Sequence, residues 1–137
     1  MPGDGMAKGT TVGPLIDDAA LKKMERQVAD ATAKGAEVIT GGNRLSGPGF
    51  DDGSFFAPTI LSDVTPDMLI CSEETFGPIA PVMVFDDEDE AIRLANSTSY
   101  GLAGYIYTRD ISRALRVAEA LDFGMIGIND ILSLIHI

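Results

Sequence analysis

The feature that most constrains this chain is a regular alternation of apolar runs and amphipathic stretches in its second half. Residues 82–85, 102–107 and 125–128 are apolar or aromatic runs of strand length. Between them, residues 88–96 and 111–121 carry apolar side chains at helical spacing, each after an acidic start. Strands that alternate with helices over short joints predict parallel strands joined by right-handed crossovers. The predicted fold class is therefore α/β, with a parallel sheet.

The first half contains one clear helix signal. Asp17 or Asp18 can cap its N-terminus, and Gly35 supplies a left-handed stop. We predict a helix over residues 18–34. Its apolar stripe recurs at spacings of three and four and consists of Leu21, Met24, Val28 and Ala31.

Extended structure is predicted on both sides of a loop rich in glycine and aspartate. Residues 36–40 alternate as a short strand, and residues 55–61 resume extended structure after the loop. Pro58 interrupts the second stretch. Because proline cannot donate a ladder hydrogen bond, this stretch is predicted to be an edge strand or an irregular segment.

The charge balance bears on partners and location. Ten Lys and Arg residues stand against 21 Asp and Glu residues, a net charge of −11 that repels phosphate backbones and anionic membranes. No apolar run approaches the roughly 20 residues of a membrane span, and the N-terminal residues lack the apolar core of a signal peptide. We expect a cytoplasmic protein with no nucleic-acid partner and no membrane partner.

Metal chemistry has little support in the sequence. With one cysteine and one histidine, the chain can form neither an internal disulfide nor a zinc site that needs several such ligands. The acidic run at residues 86–90 lacks the alternating ligand spacing and the glycine of a calcium loop. It lies at the predicted start of a helix, where the helix dipole stabilises carboxylates. We predict a solvated helix cap there and no metal site.

Two side chains could in principle act as catalytic groups. Cys71 has apolar residues on one side and Glu73 and Glu74 on the other, and both surroundings should raise the pKa of its thiol. We predict an inert, protonated cysteine. His136 is one residue from the end of the sequence, where a base would lack rigid support. No catalytic residue is predicted within this chain.

The most informative segment is Glu-Glu-Thr-Phe-Gly-Pro at residues 73–78. Its Gly-Pro pair demands a turn, and Glu74 lies two positions before Phe76. In an extended stretch, residues two apart point to the same side. A carboxylate can accept two hydrogen bonds from a ribose diol, and an aromatic ring beside it can support a flat ring. Taken alone, the same pattern also fits a surface carboxylate and a core ring.

Several motifs in order resemble the aldehyde dehydrogenase superfamily over about nine tenths of the chain. They are GPLID at 13–17, KGAEVITGG at 34–42, FFAPTIL at 55–61, EETFGP at 73–78, SYGLAGYIYTRD at 99–110 and GMIGIN at 124–129. EETFGP is the most specific of them, and the occurrence of all these motifs in the same order is stronger evidence for the resemblance than any single match. Within the superfamily, the sequence is most similar to the NAD(P)-dependent branch that oxidises succinate semialdehyde.

The resemblance implies the chemistry of the parent protein. A cysteine thiolate attacks the aldehyde, hydride passes to NAD or NADP, and water activated by a glutamate hydrolyses the resulting thioester. Glu74 matches the glutamate that holds the nicotinamide-side ribose, and Phe76 matches the ring that positions the nicotinamide. The nucleophile does not match Cys71. It and the general base are expected upstream of residue 1, so this chain alone is expected to be inactive.

The resemblance also implies how the chain is organised. Residues 1–130 are predicted to be part of an aldehyde dehydrogenase catalytic domain, in a parent that acts on a small-molecule aldehyde and forms a homo-oligomer. Residues 131–137 read ILSLIHI where the family continues into a Pro-Phe-Gly-Gly segment, and LSLIHI resembles the translation of a sequencing adapter. We predict a non-native tail there. Two alternatives stay open: a freestanding α/β binding or interaction module without catalysis, and an enzyme that uses Cys71.

Overall fold

The structure is a computed structural model that describes residues 1–131. Within that range it has four helices and five strands. Their bounds in chain order are α1 Asp18–Ala33, β1 Glu37–Thr40, β2 Thr59–Ser62, α2 Leu69–Ser72, β3 Ile79–Pro81, α3 Glu88–Ala95, β4 Ala103–Ile106, α4 Ile111–Ala120 and β5 Met125–Ile128. The elements fall into two compact units, Met1–Val84 and the described residues from Phe85 onward, each with its own small sheet.

Helix α1 confirms the prediction for residues 18–34 to within one residue. Asp17 is the N-cap, and its carboxylate accepts a hydrogen bond from the backbone N–H of Ala20 at 2.7 Å. Lys34 is the C-cap, and Gly35 follows with a φ of 104°. The predicted apolar stripe is buried, together with one polar residue that the prediction did not include. The buried residues are Leu21, Met24, Gln27, Val28 and Ala31.

The sheet of the first unit has the strand order β1-β2-β3. Strand β1 pairs antiparallel with β2, and β2 pairs parallel with β3. The edge-strand alternative for residues 55–61 is therefore wrong, because β2 is the central strand, whereas residues 55–58 lie outside the named strands, as the irregular alternative predicts. The ladder begins at Thr59, so proline's missing N–H falls just outside it.

The predicted strand at residues 82–85 is also wrong. The strand in this part of the chain is Ile79–Pro81, and residues 82–85 are irregular. Val84 and Phe85 are 80% and 55% exposed, so this apolar run does not mark a buried strand. Because β3 pairs with β2, it is not the first strand of a parallel set with β4 and β5.

The core of the first unit lies between α1 and the sheet. Its largest fully buried apolar side chains are Leu21 and Met24 from α1, Phe56 and Leu61 from the β2 region, and Met68. At the end of β1 the backbones approach closely. A Cβ at Gly41 would lie 2.3 Å from the carbonyl oxygen of Pro58.

The second unit confirms the remaining strand and helix predictions. Strands β4 and β5 are parallel and in register, and helix α4 connects them. Asp110 caps α4, and its carboxylate accepts a hydrogen bond from the N–H of Arg113 at 3.0 Å. The acidic run caps α3 as predicted, since Asp87 accepts a hydrogen bond from the N–H of Glu90 at 2.8 Å.

Candidate functional site

The candidate site is the segment 73–78, which connects α2 to β3 in the first unit. Glu74 and Phe76 both lie on the surface of this unit, and the ring of Phe76 is 79% exposed. Within the described residues, Phe76 is therefore not the core ring that the sequence pattern left open as an alternative. A carboxylate and a flat apolar ring are thus presented to solvent two residues apart.

The backbone of Phe76 is left-handed, with a φ of 47°. The expectation that Glu74 and Phe76 share one side rested on an extended backbone, and that premise is wrong at Phe76. Bulky residues rarely adopt this conformation, and it persists only where the surroundings enforce it. The contacts on both sides of Phe76 are therefore central to the geometry of the site.

Two side chains of α1 hold the upstream end of the segment at Glu73. The guanidinium of Arg26 forms a two-pronged ion pair with the carboxylate, with 3.0 Å between Nη1 and Oε1 and a second contact between Nη2 and Oε2. The Nε2 of Gln27 donates a hydrogen bond to the Glu73 carbonyl at 3.2 Å. One residue is thus held through its side chain and its backbone.

The downstream end is held by packing and by the sheet. A Cβ at Gly77 would lie 2.3 Å from the Sδ of Met24, so any larger residue at this position would require the Met24 side chain or the segment to move. The carbonyl of Pro78 accepts a hydrogen bond from the N–H of Thr59 at 2.8 Å. Ile79 then enters β3 as a buried residue.

Helix α1 also holds α2, which precedes the segment. The carboxylate of Asp30 accepts a hydrogen bond from the N–H of Leu69 at 2.7 Å and pairs with Lys34 at 3.0 Å. The hydrogen bond from Leu69 is the main reason that the pKa of Asp30 lies below its ordinary value. The segment 73–78 therefore follows an element that is fixed at its first residue.

Cys71 lies in α2 and is partly buried. Its Sγ donates a hydrogen bond to the carbonyl of Thr65 at 3.3 Å. Burial raises the pKa of the thiol, and the carboxylate of Asp67 raises it further. The predicted direction is confirmed, but the carboxylate responsible is Asp67 instead of Glu73 or Glu74. This environment favours the neutral thiol and opposes nucleophilic attack.

The chain also matches known proteins. The sequence model described as the aldehyde dehydrogenase family matches residues 1–135. The chain belongs to the aldehyde dehydrogenase family. It is 54% identical over 128 residues to the mitochondrial succinate-semialdehyde dehydrogenase of Mus musculus, covering 93% of this chain and 24% of that protein. It is 50% identical over 127 residues to the 3-sulfolactaldehyde dehydrogenase of Pseudomonas putida, covering 93% of this chain and 25% of that protein.

Solved structures of aldehyde dehydrogenases share the fold. A succinate-semialdehyde dehydrogenase from Burkholderia pseudomallei matches with a TM-score of 0.89 and 53% identity, over 96% of this chain and 27% of that one. A betaine aldehyde dehydrogenase from Staphylococcus aureus, solved in complex with NAD+, matches with a TM-score of 0.90 and 40% identity, over 96% of this chain and 26% of that one. The α/β fold class and the family are confirmed. The chain spans about a quarter of the length of the curated relatives it matches.

The second unit of this aldehyde dehydrogenase chain has features that the sequence analysis did not single out. A groove of about 520 Å³ opens between α3, α4 and β4, with Phe85, Tyr105 and Tyr107 among its lining residues. Beside it, Glu88 accepts hydrogen bonds from Arg116 at 2.7 and 2.9 Å and from Arg113 at 3.1 Å. The bonds from Arg116 are the main reason that the pKa of Glu88 lies below its ordinary value.

Other predicted features lie away from this site or outside the described range. His136 falls outside residues 1–131. Within those residues, no group of three or more His, Cys, Asp or Glu side chains is placed to hold a metal ion. In the same part of the chain, no helix combines the length and apolar character needed to cross a membrane.

Three residues of α1 contribute to the site although the sequence did not mark them as site residues, namely Met24, Arg26 and Gln27. Their contacts with Glu73 and Gly77 join positions about 50 residues apart in the sequence. One signal was present: the amide of Gln27 falls on the apolar stripe of α1. A polar residue on a buried face commonly has a specific hydrogen-bond partner.

Proposed function

We propose that this chain is part of an NAD(P)-dependent aldehyde dehydrogenase and that its segment 73–78 contacts the nicotinamide side of the cofactor. The observation that carries the proposal is the pairing of exposed Glu74 with exposed Phe76 on a segment held at both ends. The EETFGP motif, which carried the family resemblance, contains both residues. The Staphylococcus aureus relative was solved with NAD+, which supports the choice of cofactor.

The side chains present fit a nucleotide. Glu74 offers two carboxylate oxygens that can accept hydrogen bonds from a ribose diol. Phe76 offers an apolar face of the size of a nicotinamide ring, and its exposure leaves that face open to a ligand. Bound NAD(P)+ would accept the hydride of the aldehyde. In this scheme Glu74 fixes the ribose, and Phe76 limits the tilt of the ring.

The reacting thiolate in this proposal is not Cys71. The raised pKa of Cys71 and its hydrogen bond to Thr65 keep it a neutral thiol. The nucleophile and the general base belong to segments that the family resemblance implies upstream. On this proposal the described residues hold the cofactor and do not react with the aldehyde themselves.

We further propose succinate semialdehyde as the substrate. The relatives' names refer to succinate semialdehyde, 3-sulfolactaldehyde and glutarate semialdehyde, which are aldehydes with a second, acidic end. The division into a catalytic-domain part at 1–130 and a non-native tail at 131–137 is part of the same proposal. So are a homo-oligomeric parent and a cytoplasmic location, although the mouse relative is named mitochondrial.

The test is an activity assay on the full-length gene product that contains this sequence. We expect formation of NADH or NADPH that depends on succinate semialdehyde, followed at 340 nm. Glu74→Ala should weaken cofactor binding, whereas Glu119→Ala, which removes another exposed carboxylate, should not. Absence of any aldehyde-dependent reduction would contradict the proposal. Tight NAD(P)+ binding by the 137-residue chain alone would favour the binding module instead.

A further inference from the structure

We propose that Arg26 and Gln27 of helix α1 are positioning residues for the cofactor. Through Glu73 they hold the segment 73–78 in the conformation that presents Glu74 and Phe76. This inference rests on the proposed function, because it assigns a role to residues behind the cofactor-contacting pair. Neither Arg26 nor Gln27 needs to touch the cofactor.

Arg26 and Gln27 both contact Glu73. Both Nη atoms of Arg26 donate hydrogen bonds to the Glu73 carboxylate. This bidentate geometry fixes the orientation of the carboxylate as well as its distance from Arg26. Gln27 holds the carbonyl of the same residue at 3.2 Å. Glu74 follows directly in the chain. Any rotation of the Glu73 backbone would therefore redirect the Glu74 carboxylate.

Gln27 is a polar residue in an apolar environment. The residue is completely buried on the apolar face of α1, and its Oε1 has no hydrogen-bond partner within the described part of the chain. A buried oxygen without a partner lowers stability, and an apolar side chain of similar volume would pack there without that cost. The one contact that sets the amide apart is its bond to Glu73. The position is therefore better suited to holding the segment than to stabilising the core.

The backbone at Phe76, between the two held ends of the segment, is strained. Phe76 keeps its left-handed φ of 47° between Glu73, which α1 holds by hydrogen bonds, and Gly77, which packs against Met24 of the same helix. A conformation of this kind persists only when its surroundings over-determine it. Loss of the upstream contacts should let Phe76 relax and move its ring away from the nicotinamide position.

A simpler explanation is that Arg26 and Glu73 form an ordinary surface ion pair. Such pairs contribute little to stability, and their loss would leave cofactor binding unchanged. A purely structural role for Gln27 makes a different prediction, because cofactor binding and resistance to urea would then fall together. If Gln27 has a positioning role, its loss should weaken cofactor binding and leave resistance to urea unchanged.

The experiment compares variants of the full-length gene product. Arg26→Ala and Gln27→Met remove one contact each, and Arg26→Lys keeps the charge but not the two-pronged geometry. Lys22→Ala is the matched control, since it removes an ion pair with Asp18 from the same helix. The measurements are the dissociation constant for NAD(P)+, the KM for the aldehyde, the urea midpoint, and hydrogen exchange of the amides at 73–78.

We expect Arg26→Ala and Gln27→Met to weaken NAD(P)+ binding by about tenfold or more, because small misplacements of a binding group have effects of this size. The KM for the aldehyde and the urea midpoint should not change, and faster exchange should be confined to residues 73–78. Arg26→Lys should restore part of the affinity, and Lys22→Ala should behave as the parent protein.

Two results would overturn the inference. If Glu74→Ala weakens NAD(P)+ binding while Arg26→Ala and Gln27→Met do not, the proposed function survives and the positioning role fails. A parallel loss of affinity and of urea resistance in Gln27→Met would likewise overturn it, by showing a structural role alone. If Glu74→Ala also leaves affinity unchanged, the proposed function itself fails.

Discussion

Replacing Gly77 by alanine should force the segment 73–78 away from α1. The new Cβ would lie 2.3 Å from the Sδ of Met24, 3.2 Å from its Cε and 3.4 Å from its Cγ. Comfortable carbon contacts need about 3.5–4.0 Å, so the overlap with sulfur exceeds about 1 Å. Met24 is completely buried and cannot turn into solvent. Gly77 is not among the residues with left-handed φ, so the contact alone sets the cost. Overpacking of this kind costs about 1–3 kcal/mol.

Substitution of Met24, the partner of Gly77 in this contact, tests the same packing from the other side. Met24→Ala alone should cost about 2–5 kcal/mol, because it leaves a cavity in the core. It also removes the Sδ, Cε and Cγ atoms that the Gly77→Ala methyl group would meet. The double variant should therefore be more stable than the sum of the two single losses by about 1–3 kcal/mol, a coupling typical of residues in direct contact.

Urea denaturation followed by far-UV circular dichroism measures the free energy of unfolding for all four proteins of the cycle. Gly5→Ala is the control for the glycine-to-alanine change itself, since nothing lies within 4 Å of a Cβ at that position. Its free energy of unfolding should stay within about 0.5 kcal/mol of the parent value. Additive losses in the double variant, to within about 0.5 kcal/mol, would refute the close packing of Gly77 on Met24.

Three further substitutions or treatments test separate parts of the structure. Asp17→Ala should lower the free energy of unfolding by about 1 kcal/mol through loss of the α1 cap, while Asp17→Asn should retain most of it, and equal losses would contradict the capping role. Cys71 should react slowly with a disulfide reagent at pH 7 and speed up only above the ordinary thiol pKa of about 8.5, because burial favours the neutral form. The lowered pKa of Glu88 means that its pairs with Arg113 and Arg116 stabilise the fold above about pH 4.3 and lose this effect as the pH falls. Glu88→Gln should therefore lower the urea midpoint at pH 7 more than at pH 3, and an equal effect at both would contradict the ion-pair account.

The helices could be predicted because their signals are local. A cap at Asp17, Asp87 or Asp110 lies within three residues of the N–H group that it accepts, and the apolar spacing that follows is read within one or two turns. The bounds of α1 and α3 differ from the predicted ones by a single residue at the C-terminus. The bounds of these helices could therefore be predicted without knowing which elements they pack against.

The strands were harder to predict from the sequence, because strand pairing joins distant parts of the chain. Residues 82–85 have the composition of a strand, but the strand beside β2 is the shorter run Ile79–Pro81, and Val82 adds only backbone hydrogen bonds with Leu61 and Val64. Pro58 predicts an edge strand or an irregular segment, and it lies in the irregular residues just before the first paired residue of a central strand. Which strand lies beside which is decided by tertiary packing, which apolar content alone does not encode.

In the candidate site, too, the local features could be predicted from the sequence and the long-range contacts could not. The motif located Glu74 and Phe76, and the structure places both on the surface. The contacts of Glu73 with α1 join residues almost 50 positions apart, and the backbone of Phe76 is left-handed. No pattern within the segment specifies them. The sequence therefore located the pair that we propose contacts the cofactor, and only the fold shows which residues hold it.

The most direct test of the central claim compares two ligands on two proteins. The ligands are the nicotinamide cofactor and an analogue that lacks the hydroxyl groups of the nicotinamide-side ribose, and the proteins are the full-length gene product and its Glu74→Ala variant. We expect the parent protein to bind the cofactor about tenfold or more tightly than the analogue, since hydrogen bonds to a charged group contribute about 1.5–3 kcal/mol. The variant should bind both equally. The same preference in both proteins would show that Glu74 does not hold the ribose and would contradict the account.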